Sequence, residues 1–99
     1  MPTLEEMTAA LQKAVSEQPA PRSVTFDLKG EGFLHISGST VSNDNAPADC
    51  TITVSKDDLV SMTKGELDPT TAFMTGRLKI AGDMSAAMAL QPILARAKA

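Results

Sequence analysis

The spacing of apolar residues near the start of the chain is that of a helix with one buried face. Apolar side chains recur three and four positions apart, at Leu4, Met7, Leu11, Ala14 and Val15. Thr3 and Glu6 have the capping-box spacing that begins such a helix. Pro19 and Pro21 end it, because proline lacks an amide hydrogen and clashes with the preceding helical turn. The pattern therefore predicts an N-terminal amphipathic helix.

From residue 23 onward the period changes to two, which is the period of a strand with one buried face. Apolar and polar residues alternate in two segments that flank a glycine-containing turn, 29–32, and the second segment begins at Phe33. A weaker strand at 39–42, a polar loop and an alternating strand at 50–54 follow. The order predicts an antiparallel meander of four short strands.

Two short helices are predicted in the middle of the chain. Ser55 and Asp58 repeat the capping-box spacing, and Gly65 suits a helix C-terminus because glycine readily takes the left-handed conformation. Asp68 followed by Pro69 marks the start of the second helix. The Asp68 carboxylate can cap the helix, and proline suits the first helical position because an N–H there would have no partner within the helix.

The last part of the chain predicts a fifth strand and a final helical segment. Leu78 and Ile80 alternate with exposed-type residues, and Met84 and Met88 then lie four positions apart. Pro92 falls inside the final helical pattern, so we expect it to kink that helix or split it into two pieces.

These elements together predict an α+β fold, a five-stranded and mainly antiparallel sheet covered on one face by helices. The 99 residues suit one domain, 1–99. No targeting segment is recognised and Cys50 has no partner for a disulfide, so we expect a cytoplasmic protein. No apolar run approaches the roughly 20 residues that a membrane-spanning helix needs.

Charge and residue types argue against nucleic acid and against catalysis. The formal net charge is −3 and the nine Lys and Arg residues are scattered, whereas phosphate binding needs a basic surface. The chain has no Trp or Tyr to stack on bases. His35 and Cys50 lie in strand patterns without a partner at catalytic or metal-ligand spacing, which favours structural roles. We therefore expect no catalytic residue, no metal and no cofactor.

Methionine is the unusual component, with six residues in 99. Its side chain is unbranched and polarizable, so it fills irregular space and adapts to variable contents. Composition alone leaves two interpretations open, a core short of aromatic residues or a pliable apolar pocket. Arg77 and Lys79 leave a similar choice between simple solvation and a weak docking point for an anionic headgroup or membrane surface.

The segment 48–90 resembles the sterol carrier protein 2 family. The resemblance is carried in order by ADCTIT from Ala48, by LVSMTKG from Leu59 and by PTTAFMTGRLKIAGDM from Pro69. It implies a helix-covered sheet that encloses an apolar tunnel. The implied function is non-catalytic binding, with or without transfer, of a fatty acid, fatty acyl-CoA, phospholipid or sterol. The chain lacks the C-terminal peroxisomal tripeptide of many eukaryotic relatives, so a bacterial-type, single-domain member is expected.

By position, the resemblance makes ten residues candidates for the tunnel lining: Phe33, Ile36, Leu59, Met62, Phe73, Met74, Leu78, Ile80, Met84 and Met88. The expected partners are a long-chain lipid and, transiently, a membrane surface. A monomer is favoured, although the sequence does not determine the oligomeric state. The alternative is a protein-interaction or accessory module with a filled core and no lipid ligand.

Overall fold

The computed structural model describes residues 3–96 and confirms the α+β class. One five-stranded sheet and four helices share a single hydrophobic core. In chain order the elements are α1 (Leu4–Glu17), β1 (Ala20–Asp27), β2 (Phe33–Gly38), β3 (Thr40–Ser42), β4 (Cys50–Val54), α2 (Lys56–Thr63), α3 (Pro69–Met74), β5 (Leu78–Gly82) and α4 (Met84–Arg96).

The first three helices begin where their capping residues predicted. The Thr3 hydroxyl accepts from the Glu6 amide at 3.1 Å, and the Glu6 carboxylate accepts from the Thr3 amide at 3.1 Å, which completes the capping box. The Ser55 hydroxyl accepts from the Asp58 amide at 3.1 Å. The Asp68 carboxylate accepts from the Thr70 amide at 2.7 Å. Local side-chain chemistry therefore sets these three boundaries.

The order of the strands corrects the predicted meander. The strands lie in the order β3-β2-β1-β4-β5, and β4 pairs with β1 in parallel, whereas every other pair is antiparallel. The segment 43–49 carries the chain from β3 at one edge to the far side of β1. Periodicity alone could not show this, because alternation fixes which face a residue occupies and not which strand lies beside it.

A hydrogen-bonded network ties this crossing segment to the sheet. The Thr25 hydroxyl donates to the Ala46 carbonyl at 2.7 Å and lies 2.9 Å from Nδ1 of His35. Since that hydroxyl has one hydrogen and gives it to Ala46, it accepts from His35, which must carry its proton on Nδ1. His35 thus has the structural role expected from the sequence.

The sheet presents one apolar face to the helices. Strand register places opposed residues on the same face, and Phe26 on the central strand stands opposite Leu34 on one side and Ile52 on the other. Ile80 continues that row onto β5. Helix α4 lies across β1 and β4, while α1 covers the β3 side and α3 covers β5. The helices therefore cover this apolar face from one edge strand of the sheet to the other.

Pro92 does not split the final helical segment, since α4 runs as one continuous helix from Met84 to Arg96. Proline at position 92 removes the hydrogen bond that would reach the Met88 carbonyl. Ile93 and Leu94 follow it directly and are buried in the core. Tertiary packing of that face stabilises the helix beyond the proline, as it does for most helices in proteins.

Candidate functional site

An apolar groove of about 270 Å³ lies between β5, α3 and α4. Its floor comes from the sheet and its walls from the two helices. Among the described residues, the lining includes no charged side chain, and Thr70 and Gln91 supply its two polar side chains. The lining consists of Phe26, Ile52, Met62, Pro69, Thr70, Phe73, Leu78, Ile80, Met84, Ala87, Met88, Gln91 and Leu94.

Sheet register and helical spacing explain why these residues meet. Ile80 stands opposite Ile52 on β4, and Leu78 opposite Val54, so β5 points both of its lining residues to the helix-covered face. On α4, Met84, Ala87, Met88 and Gln91 follow the three-and-four spacing of a single stripe. The same local patterns that made the elements thus produce one continuous apolar surface.

The sheet closes one side of the groove, and the opposite side is open to solvent. Phe26 on its floor is fully buried, whereas Met84 and Met88 at its edge are 45% and 62% exposed. Phe73 on α3 is 44% exposed and faces the same opening. The enclosed tunnel that the family resemblance implied is therefore an open groove in this structure.

A second cavity of about 270 Å³ adjoins the groove towards the start of α3. The two share four lining residues, Met62, Pro69, Gln91 and Leu94. Asp68, Gly65 and Leu67 complete the second one. This end is more polar, because Asp68 brings a carboxylate to it.

Six of the ten sequence candidates meet in the groove: Met62, Phe73, Leu78, Ile80, Met84 and Met88. Met74 lies outside it and is 79% exposed, beside the opening. Leu59 and Ile36 are fully buried in the core and do not line the groove. Phe33 stands opposite Asp27 on the sheet face away from the helices, because it is an odd number of residues from Leu34 and Ile36.

The sequence candidates omitted seven lining residues, and most of them had a usable signal. Phe26 and Ile52 lie on the apolar face of their strands, and Ala87 and Gln91 lie three and seven positions after Met84. Pro69, Thr70 and Leu94 complete the set. What the sequence lacked was the strand order, which places β4 between β1 and β5.

A polar cluster at one end of the sheet holds the start of α4, which forms a wall of the groove. The Asp83 carboxylate accepts from the Ser85 amide at 2.8 Å, and Arg22 forms ion pairs with both Asp83 and Asp49. Backbone hydrogen bonds first, from Ser23 to Asp49 and from Ser85 to Asp83, and then Arg22, lower the pKa of both carboxyls. Both side chains therefore stay charged near neutral pH.

Reactive groups are kept away from the groove. Cys50 is fully buried, and burial first, then the nearby Asp83 charge, raises the pKa of its thiol. A protonated thiol is a poor nucleophile. Within residues 3–96 no group of three or more His, Cys, Asp or Glu side chains could hold a metal ion. None of the helices in that range is long and apolar enough to cross a membrane.

The groove thus offers apolar surface and two neutral hydrogen-bonding side chains, a lining that suits an apolar ligand. Comparison with known proteins identifies the family. The sequence profile of the SCP-2 sterol transfer family matches residues 1–95, and the chain belongs to that family. The coverage confirms the resemblance found in the sequence.

Individual relatives agree with this assignment. Sterol carrier protein 2 of Bos taurus is 48% identical over 54 residues, which cover 54% of this chain and 10% of that protein. Hydroxysteroid dehydrogenase-like protein 2 of Xenopus laevis is 32% identical over an alignment covering 97% of this chain and 26% of that protein. The chain therefore spans a tenth to a quarter of the length of these relatives.

The fold also matches solved structures. A solution structure of sterol carrier protein 2 from Aedes aegypti, in complex with the C16 fatty acid palmitate, superposes with a TM-score of 0.77. That alignment covers 95% of this chain and 96% of the other at 16% identity, so it shows a shared fold.

Proposed function

We propose that this domain binds a long-chain lipid in the groove between β5, α3 and α4 and carries it without transforming it. The observation that supports this most directly is a groove with an apolar floor, an open top and no charged side chain in its described lining. Burying an acyl chain there contributes about 0.8 kcal/mol for each CH₂ group.

The family suggests the candidate ligands, and the apolar lining is compatible with each of them. The candidates are fatty acids, fatty acyl-CoA, phospholipids and sterols, since each has a long apolar part and a polar end that the groove opening leaves in water. The palmitate complex of the Aedes aegypti relative supports the first of these. Met62, Met84 and Met88 line the groove, and their flexible side chains favour broad selectivity for chain shape.

The filled-core alternative predicts that the methionines pack against one another without a void. Met62 is buried at the bottom of the groove, whereas Met74 and Met88 are mostly exposed, and about 270 Å³ of space separates the walls. This geometry favours a ligand over a self-filled core.

Direct binding measurements test the proposal. The delipidated protein should unfold at a higher temperature when palmitic acid is added. The expected stabilisation is about 2.7 kcal/mol when the free ligand is at a hundredfold excess over Kd. Native mass spectrometry of the protein as purified should show added mass from a retained lipid. The proposal is refuted if fatty acids, acyl-CoA, phospholipids and sterols all fail to raise the unfolding temperature of the protein.

Two exposed methionines provide a matched pair that locates the site. Met88→Gln places an amide in the groove lining and should weaken palmitate binding roughly tenfold. Met74→Gln makes the same chemical change outside the lining and should leave the affinity unchanged. Equal losses in both variants would argue against binding in this groove.

Three further properties stay predictions. They are a single domain over residues 1–99, a cytoplasmic location and a monomeric state. Brief contact with a membrane surface belongs to the proposed function as well, since a lipid carrier must collect and release its ligand somewhere.

A further inference from the structure

The described methionines differ both in exposure and in contact with the groove. Met84 and Met88 line the groove and are 45% and 62% exposed, whereas Met62 lines it but is buried. Met74 is exposed outside the lining, and Met7 is buried away from it. Exposure and groove contact therefore vary independently among these five side chains.

Solvent exposure decides which thioethers a peroxide can reach. The sulfur lone pair attacks one oxygen of hydrogen peroxide and the O–O bond breaks, so that methionine becomes methionine sulfoxide and the peroxide is reduced to water. The sulfur supplies the two electrons for this reduction. Met74, Met84 and Met88 are open to the reaction, whereas the core shields Met7 and Met62, which are 2% and 5% exposed.

The other group in the chain that reacts readily with peroxide is protected. The chain has one cysteine and no Trp. Cys50 is fully buried, and burial first, then the Asp83 charge, raises the pKa of its thiol. Peroxide oxidises the thiolate, and a buried protonated thiol supplies little of it. The accessible thioethers are therefore the groups that react first.

Oxidation at the two exposed lining positions changes the character of one groove wall. Met84 and Met88 lie four positions apart on α4, so both side chains belong to a single stripe. A sulfoxide is polar, and Thr70 and Gln91 supply the only polar side chains in the described lining. A lipid chain packed on the oxidised wall would separate the S=O groups from water. Burying a polar group without a hydrogen bond costs free energy, so the oxidised groove should hold a lipid less tightly.

From this arrangement we propose that Met84 and Met88 form an oxidation site at which peroxide switches off lipid binding, while bound lipid in turn shields both sulfur atoms. The effect on binding rests on the proposed lipid-carrier function, whereas the oxidation itself is measured separately. The empty groove is the reactive form, because its wall is open to solvent. Met62 stays reduced in the core, so the oxidised domain keeps its fold. Methionine sulfoxide reductases restore the thioether, which makes the switch reversible.

Met74 separates the effect of the groove from the effect of exposure alone. It is the most exposed of the described methionines, and it does not line the groove. Peroxide should oxidise it as readily as Met84 and Met88, but without any change in the lining. A lipid in the groove should leave it accessible, because the lipid covers only the lining residues.

Peptide mass spectrometry of peroxide-treated protein tests the site. In the delipidated protein, hydrogen peroxide should add one oxygen to each of Met74, Met84 and Met88 before it reaches Met7 or Met62. Free palmitate at about ten times its Kd should slow the oxidation of Met84 and Met88 roughly tenfold, because only the empty fraction reacts. Met74 should be oxidised at an unchanged rate. Equal rates with and without bound palmitate at Met84 and Met88 would overturn the site.

Palmitate affinity before and after oxidation tests the switch. The wild-type protein should bind palmitate roughly tenfold more weakly after peroxide treatment, while the unfolding temperature of the empty protein stays the same. Met74→Leu removes the exposed sulfur outside the lining and should lose affinity on oxidation as the wild type does. Met84→Leu/Met88→Leu replaces both lining sulfurs at similar volume, and peroxide should not change that variant's own starting affinity.

The switch is overturned if this double variant loses as much affinity on oxidation as the wild-type protein, or if oxidation unfolds the empty domain. Methionine sulfoxide reductases should restore both the thioethers and the affinity. Affinity that stays low after both sulfur atoms are reduced would indicate permanent damage and would also overturn the switch. Equal palmitate affinity before and after oxidation overturns the switch alone, whereas an untreated protein that no lipid stabilises refutes the carrier function as well.

Discussion

A single residue at the end of the sheet determines how closely the two strands β4 and β5, which help form the floor of the groove, approach one another. Gly82 ends β5 with a φ of +100°, and a Cβ atom there would lie 2.6 Å from the Asp49 carbonyl oxygen. The Asp83 amide next to it donates to the same oxygen at 2.9 Å. Glycine is needed at position 82 because the backbones of β4 and β5 meet there without room for a side chain.

We expect Gly82→Ala to destabilise the protein by about 3 kcal/mol, because it adds a backbone clash to the cost of a left-handed alanine. Gly76→Ala is the matched control, since Gly76 has a φ of +80° but a Cβ atom there would meet nothing within 4 Å. Its cost should be about 1 kcal/mol. Urea unfolding followed by circular dichroism measures both, and equal costs would show that the Asp49 contact does not matter.

At the scale of elements, local sequence signals correctly predicted where the first three helices begin. Caps at Thr3, Ser55 and Asp68 act within three residues, so a sequence read in order contains them completely. The sequence left open whether Pro92 kinks or splits the final helix, because the continuity of α4 depends on the packing of Ile93 and Leu94 beyond Pro92. A propensity describes an isolated helix, and tertiary contacts can outweigh it.

If packing alone maintains α4 across Pro92, then Pro92→Ala should stabilise the protein by about 1 kcal/mol. Alanine restores an amide that can donate to the Met88 carbonyl, and this gain exceeds the entropy that proline removes from the unfolded chain. The exposed Pro21 lies outside the helices, and Pro21→Ala should give a small loss instead. Thermal unfolding compares the two variants, and destabilisation by Pro92→Ala would contradict this account of α4.

At the scale of the whole molecule, the groove exists because two helices meet at β5 without filling the space above it. Small and flexible residues line that junction, with Ala87 and Met88 on α4 facing Ile80 on the sheet. Well-packed proteins tolerate few voids of this size without a function, since each lost contact costs free energy. The proposed binding of a lipid would offset this cost.

Filling the groove should therefore separate stability from binding. Ala87→Leu adds volume to the groove and should leave the free energy of unfolding unchanged or raise it by up to about 1 kcal/mol, while palmitate affinity falls. Ala72 is fully buried but does not line the groove, so Ala72→Leu should overpack the core and cost about 1–3 kcal/mol. Chemical denaturation distinguishes them, and equal destabilisation would mean that the groove has no usable space.

The sequence by itself determined the element types, the faces of the strands and the family. Leu78 and Ile80 were assigned to one face from alternation, and Met84 and Met88 to one stripe from helical spacing, because both periods are local properties of the backbone. These four candidates meet in the groove, together with Met62 and Phe73.

Only the tertiary structure decided which strands are neighbours and which candidates reach the groove. The parallel pairing of β4 with β1 and the antiparallel pairing of β4 with β5 set Phe26, Ile52 and Ile80 in one row across the sheet, and no local pattern encodes that arrangement of distant segments. Helix packing likewise left Met74 outside the groove and closed Leu59 and Ile36 into the core. Side-chain direction follows from local periodicity, whereas a cavity is the space left between elements and depends on how all of them pack together.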